Sequence, residues 1–281
     1  MQKQFLLGDS WVYFKVYASS YTLMELVPNI IYKLANKLTT KKLIYKYFFV
    51  KYNDSNGQHV RMRLQQTSQN NIGAIIELIN LYFSKYIRSG LITNLSYDIY
   101  SRELDRYTVS YIEEFEFISF ISSKLILSQV VKKDNDNYLK IICTSVKIMD
   151  EFLNYLDFST IDKYNIYESY YKQYEQEFNI SHKIKSQLSD KYKKYGNEFE
   201  MILNSGLQYI GTLNYSHRNS LIEILRRISI SYKEAKQNIY PILLSIIHLH
   251  YNRTFVNHPR ENELVLYFIL SRVYKTQTFK K

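Results

Sequence analysis

One cysteine, three prolines and seven glycines in 281 residues are the first constraints on this chain. The lone thiol, Cys143, excludes an internal disulfide, and without clustered ligands it builds no zinc site. It lies in the apolar run 139–149 and reads as a packing residue. So few prolines and glycines argue against long disordered linkers, collagen-like repeats and a sandwich of short strands joined by tight turns. No apolar run approaches the roughly 20 residues of a membrane span. The apolar stretch at the N-terminus is too short for a signal peptide, so the expected compartment is the cytoplasm.

Against these absences stand a hydrophobic fraction of 46%, enough for a substantial core, and a length that allows one large domain or two closely packed ones. The net charge of +11 favours anionic partners: nucleic acid, an acidic peptide or a carboxylate-bearing substrate. Compositional drift towards lysine would give the same charge. Tyrosine is unusually abundant, with 29 copies beside many Lys, Asn and Ile, as an AT-rich coding sequence would produce. A nucleic-acid stacking surface would need aromatic and basic residues interleaved in a motif, and none stands out.

Residues 11–17 (Trp-Val-Tyr-Phe-Lys-Val-Tyr) are β-branched and aromatic and predict a strand. Over 22–38, Leu23, Leu26, Ile30, Ile31, Leu34 and Leu38 recur at helical spacing. Residues 44–51 predict a second strand and 53–58 a turn, while 59–64 alternate strictly and pair back as a hairpin. An amphipathic helix follows over 72–87, stopped by Gly90, and 91–100 make a fourth strand. The order β-α-β-β-α-β over residues 8–105 is the split βαβ, or ferredoxin-like, arrangement. Beyond Tyr107 the spacing predicts helices at 109–130, 135–157, 161–178, 181–204, 217–232, 235–256 and 260–275. Breaks are expected at 132–136, at Gly196 and over Gly206–Gly211. The expectation is an α+β protein: a small mixed sheet in residues 1–107 and a large helical part in 108–281, packed as one compact unit.

Three constellations carry chemistry. In the strand His59-Val60-Arg61-Met62-Arg63-Leu64, alternation puts His59, Arg61 and Arg63 on one face, roughly 6–7 Å apart. Two guanidiniums in a row can grip a carboxylate or a developing oxyanion; a solvated, aggregation-resistant edge would look the same. In the segment 97–107, a helix beginning at Tyr100 would set Tyr100, Glu103 and Arg106 on one side, so that Glu103 orients Arg106. An ordinary surface ion pair is the alternative. The third lies late in an apolar helix opened by Pro241, where Ser245, His248 and Asn252 share a stripe and His250 points away. Histidine suits proton transfer near neutral pH, although one in such a helix is by default a hydrogen-bonded core residue. The His-x-His spacing does not suit a metal on one helical face.

In this order and at these spacings the blocks resemble the C-terminal domain of lantibiotic dehydratases, also described as thiopeptide-type bacteriocin biosynthesis proteins. The first comprises Trp11-x-Tyr13-x-Lys15-x-Tyr17 and the hairpin Phe48–Asp54 with His59–Arg63. The second is Tyr100-x-x-Glu103-x-x-Arg106-Tyr107, and the third Ser245-x-x-His248-x-x-x-Asn252-Arg253. Two departures stand out: Thr108 where the family commonly has Gly, and no Asp-Ser pair downstream of Glu116-Phe117.

The resemblance implies a stand-alone enzyme of a split lantibiotic or thiopeptide dehydratase. Its substrate would be a ribosomal precursor peptide whose Ser or Thr already carries a glutamyl ester, installed by a separate, larger glutamyl-tRNA-dependent partner. This chain would eliminate glutamate to leave dehydroalanine or dehydrobutyrine, with no cofactor or metal implied and no direct nucleic-acid binding required. Arg61, Arg63 and Arg106 would stabilise the enolate and bind the glutamyl group, and His248 would transfer the proton. His59, Tyr100, Glu103, Asn252 and Arg253 would contact substrate. Two alternatives share the pattern: a pyridine synthase joining two dehydroalanines with release of the leader, and a non-catalytic peptide-binding partner. Retention of both strand arginines, Arg106 and His248 favours elimination, since a cyclase has no glutamate to grip.

Overall fold

In the computed structural model, which describes residues 1–131, 138–234, 239–255 and 258–279 and the side chains of all of these except 108 and 109, the chain divides into two compact units, Met1–Asp136 and Asn137–Lys281. The predicted break at 132–136 and the first residues of the predicted helix 235–256 lie outside the described residues.

The first unit opens with a two-residue strand β1 (Gln4–Phe5) and then β2 (Trp11–Ala18). The predicted helix 22–38 arrives as two pieces, α1 (Ser20–Glu25) and α2 (Val27–Thr40). Pro28, lacking an N–H, opens the second piece at a position where no helical hydrogen bond is lost. β3 (Ile44–Asp54) and β4 (Gly57–Gln66) form the hairpin. Asn56 N–H donates to Asp54 Oδ1 at 2.9 Å in the turn, and Gly57 takes a φ of 108° that a side chain would resist. α3 (Ile72–Arg88) ends at Gly90, whose φ is 73°. The predicted strand 91–100 divides into β5 (Ile92–Tyr97) and β6 (Tyr100–Ser101), and β6 pairs with β1. α4 (Leu104–Val131) completes the unit.

The four-stranded sheet runs β3-β4-β2-β5, the split βαβ order. Every ladder is antiparallel, because strands that run the same way are never neighbours: β4 lies between β2 and β3, and β2 between β4 and β5. Val12, Phe14 and Val16 of β2 and Val60, Met62 and Leu64 of β4 share one face and are at most 1% exposed. At about 1.5–3 kcal/mol for each large side chain buried, this face drives the folding of the unit. Phe83 of α3 meets Phe14 edge-on, and Phe120 of α4 meets Tyr47 of β3 in the same manner. α2 packs on α3, α4 and β3. Helix α4, predicted to begin the helical part, therefore belongs with the sheet.

The second unit contains α5 (Tyr138–Tyr155), α6 (Thr160–Glu177), α7 (His182–Asn204), α8 (Tyr215–Glu234), α9 (Tyr240–Thr254) and α10 (Pro259–Phe279). α10 packs on α6, α7 and α9, and α5 on α7, α8 and α9. The break expected at Gly196 is absent, since α7 runs through it. A Cβ there would come within 2.8 Å of the Tyr192 ring, so this glycine makes room for a neighbouring side chain instead of ending the helix. The abundant tyrosines acquire a structural purpose here: Tyr167, Tyr170 and Tyr174 of α6, Tyr251 of α9 and Tyr267 and Tyr274 of α10 are all buried. Such a core needs hydroxyl partners. Tyr274 donates to Asp150 at 2.8 Å, Tyr170 to the Tyr240 carbonyl at 3.0 Å, and the Tyr167 and Tyr251 hydroxyls lie 3.1 Å apart. None of the helices among the described residues is long and apolar enough to cross a membrane.

Candidate active site

Strand alternation puts His59, Arg61 and Arg63 on the face of β4 opposite Val60, Met62 and Leu64. Antiparallel pairing then surrounds them: Tyr17 and Tyr52 flank His59, Lys15 and Val50 flank Arg61, and Tyr13 and Phe48 flank Arg63. His59 is fully buried. Its Nδ1–H donates to the Gly57 carbonyl at 3.0 Å, and its Nε2 accepts from Arg61 Nε at 3.0 Å. With both ring nitrogens engaged, and with burial lowering its pKa, His59 is a neutral support for Arg61. The Arg61 guanidinium also lies 3.5 Å over the Tyr52 ring.

Arg63 is held differently. Its guanidinium sits 4.9 Å from the Tyr13 ring and 5.1 Å from those of Phe48 and Tyr100. Phe5, Trp11, Tyr13, Phe48 and Tyr100 form one buried aromatic cluster around it, with Tyr100 stacked on Phe5 across the β1–β6 ribbon. Arg63 Nε and Nη1 are shut away from solvent and meet no hydrogen-bond acceptor among the described residues. Rings attract the cation, but they leave its N–H groups unsatisfied, at about 1–3 kcal/mol for each such group.

The second block folds otherwise than the sequence implies. Tyr100 lies on β6 and the helix starts only at Leu104, because the β1 pairing keeps Tyr100 extended. Tyr100 is therefore off the Glu103–Arg106 stripe. Glu103 and Arg106 form a 3.2 Å ion pair with side chains 61% and 52% exposed. The buried arginine of this segment is Arg102, which the sequence reading passed over. Its Nε and Nη2 grip Glu116 Oε1 and Oε2 at 2.7 and 2.8 Å, and Tyr100 donates its hydroxyl to the same carboxylate at 3.0 Å. The available signal was Glu116 itself, the one of three neighbouring glutamates that is flanked on both sides by phenylalanine, Phe115 and Phe117.

In the helical unit, His248 lies on α9 with its side chain 28% exposed. Its Nδ1 is 3.0 and 2.9 Å from the two oxygens of Glu263, a fully buried residue of α10. Tyr174 and Tyr267 donate to the same carboxylate at 2.6 and 3.3 Å. Glu263 was also missed; it stands at the head of the apolar run 264–270. His250 faces the core, as its position opposite His248 implies. Its Nε2–H donates to the Ser145 carbonyl at 2.9 Å, and burial pushes its pKa down to about 3. Asn252 and Arg253 are both buried in the helical unit. No cluster of three or more His, Cys, Asp or Glu side chains able to hold a metal occurs among the described residues.

Within the first unit the structure thus brings His59, Arg61, Arg63 and Tyr100 together and leaves Glu103 and Arg106 as an exposed pair. His248, Asn252 and Arg253 belong to the second unit.

Three comparisons bear on this arrangement. The nisin biosynthesis protein NisB of Lactococcus lactis subsp. lactis is 24% identical over 292 residues, spanning 97% of this chain and 26% of that protein. The chain thus covers about a quarter of that relative's length. Among solved structures, the tRNA-dependent lantibiotic dehydratase MibB from Microbispora sp. 107891 superposes with a TM-score of 0.65 at 16% identity, over 99% of this chain and 29% of that one. The pyridine synthase TbtD from thiomuracin biosynthesis superposes with a TM-score of 0.60 at 12% identity, over 95% of this chain and 99% of that one. Residues 11–274 match the family described as lantibiotic biosynthesis dehydratase, C-terminal, and the chain belongs to that family.

Proposed function

We propose that this chain eliminates glutamate from glutamylated Ser or Thr residues of a ribosomal precursor peptide. The observation that carries the reading is the Arg63 guanidinium, caged by aromatic rings, whose buried Nε and Nη1 meet no acceptor among the described residues. A site of that kind suits an incoming carboxylate or a developing oxyanion, which would complete the missing hydrogen bonds. Arg61, fixed by His59 and Tyr52, is a second donor on the same strand, and Arg106, tethered by Glu103, is a third cation for the glutamyl group.

In the reaction the Cα proton passes to a base, and the Cα–H electron pair becomes the new Cα=Cβ bond. The Cβ–O bond breaks, and the glutamyl group leaves as its carboxylate. Negative charge builds on the neighbouring amide oxygen before the bond breaks, so guanidinium donors lower the barrier there. His248 is the proton-transfer residue of this reading, since an imidazole works near neutral pH and this one is oriented by a carboxylate. A precursor peptide and a separate glutamylating protein are the partners it requires, and the cytoplasm is the compartment.

Mass spectrometry of two peptides incubated with the purified chain tests the proposal. Loss of glutamate from a pre-glutamylated precursor supports elimination. Release of leader from a pre-dehydrated precursor assigns pyridine synthesis instead, and no change in either peptide assigns a binding role. With His248→Ala, glutamylated peptide should accumulate while still binding; an active variant removes His248 from the mechanism.

A further inference from the structure

The helical unit holds a second element of the same chemistry in the carboxylate behind His248. Glu263 is 0% exposed, yet four donor contacts converge on it: Tyr174 at 2.6 Å, Tyr267 at 3.3 Å, and His248 Nδ1 at 3.0 and 2.9 Å from its two oxygens. A carboxylate only accepts, so the proton of the neutral imidazole must sit on Nδ1, which leaves the lone pair on Nε2. Burial, then the neighbouring carboxylate, raises the pKa of both tyrosines. They therefore stay protonated and keep donating. The other charged and titratable groups facing Glu263 are Tyr251 on α9 and Arg260 on α10, whose guanidinium lies 4.4 Å over the Tyr174 ring. The histidine is the accessible end of the pair and the carboxylate its sealed end.

We infer that Glu263 is a positioning residue: held by Tyr174 and Tyr267, it fixes His248 as the Nδ1–H tautomer, so that Nε2 is the atom that takes the substrate proton. This rests on the reading that His248 transfers the proton. A fixed carboxylate also stabilises the imidazolium formed when that proton arrives, which a core salt bridge serving stability alone would have no reason to do at a partly exposed ring. Hydrogen bonds of this outer kind typically carry about 10–100-fold in activity.

Nitrogen-15 spectra of the histidine rings at alkaline pH test the tautomer without reference to any reaction, with His248→Gln assigning the resonance among the six histidines. The full chain should show one neutral Nδ1–H form for His248. In Glu263→Met, which removes the acceptor at similar volume, the ring should become a mixture of tautomers. Elimination from pre-glutamylated peptide should then fall about 10–100-fold in kcat with KM little changed. Glu263→Gln, which keeps an acceptor without charge, should recover part of the loss. A wild-type ring protonated on Nε2, or a Glu263→Met ring that keeps the single Nδ1–H form, overturns the inference; the first result decides it even if the variant fails to fold. An Nδ1–H ring in a chain that eliminates nothing overturns the reaction reading instead and leaves the tautomer assignment standing.

Discussion

The arginine on the polar face of the sheet and the buried carboxylates of the helical unit are treated in opposite ways. In the helical unit each of the carboxylates Asp150, Glu151 and Glu263 is met by at least two donors: Lys163 and Tyr274, the Tyr209 and Ile210 backbone N–H groups, and the His248–tyrosine set. On the sheet, Arg63 is surrounded by rings, and its Nε and Nη1 meet no acceptor among the described residues, although an arginine paired with a carboxylate, Arg102, occurs in the same unit. Satisfied buried networks hold a fold in one arrangement, whereas an unsatisfied one persists where something else is meant to complete it. In the proposed reading Arg63 is the ligand-facing group and Arg102 its structural counterpart.

The largest expected effect would break that contrast outright. Arg102→Met should destabilise the chain by about 3 kcal/mol, because buried Glu116 loses its bidentate partner and keeps only Lys46 at 3.8 Å and the Tyr100 hydroxyl. Arg63→Met should leave stability within about 1 kcal/mol of the parent, since no counter-charge is abandoned. It should nonetheless cost about 100-fold or more in glutamate elimination. Urea midpoints and peptide kinetics on the two variants would check this, and equal loss of stability would end the distinction.

A smaller effect concerns acid. His250 is neutral in the folded chain with its pKa pushed down to about 3, so below its ordinary value near 6.5 the unfolded chain binds a proton that the folded one refuses. Its stability is therefore full above that ordinary value. It is lost as pH falls towards 3, at up to about 1.4 kcal/mol per pH unit. Urea midpoints measured from neutral pH down to about pH 4.5 should show this slope, and His250→Gln should flatten it.

Tyr100→Phe sharpens the comparison within the sheet unit. The ring over Arg63 remains while the hydroxyl to Glu116 is lost, so stability should fall by about 1 kcal/mol and elimination should persist. Thermal melts beside the same kinetics separate the two roles. Smallest of all is Glu103→Gln, which opens an exposed ion pair and should change stability by less than about 1 kcal/mol. A marked loss of activity there would show that Arg106 depends on being tethered.

Much of this was legible from local pattern. Alternation in residues 59–64 separated the arginine face from the apolar face, and helical spacing located the α-helices of the C-terminal half to within a few residues. The exceptions have local causes that spacing does not carry. Gly196 reads as a helix breaker but leaves room for the Tyr192 ring. Tyr100 reads as the start of a helix, yet pairing with Phe5, distant in sequence, keeps it in a strand. The tyrosines read as compositional drift, and packing made them the core of the helical unit.

By itself, the sequence determined the elements, their order and the residue types available for chemistry, because side-chain periodicity and turn composition act over a few residues. Tertiary structure alone decided which buried charges are paired. Arg102 finds Glu116 and His248 finds Glu263 across element boundaries, 14 and 15 residues apart, while Arg63 Nε and Nη1 find rings and no acceptor among the described residues. A charged side chain costs least where its desolvation is offset, and only the folded arrangement of neighbours sets that offset.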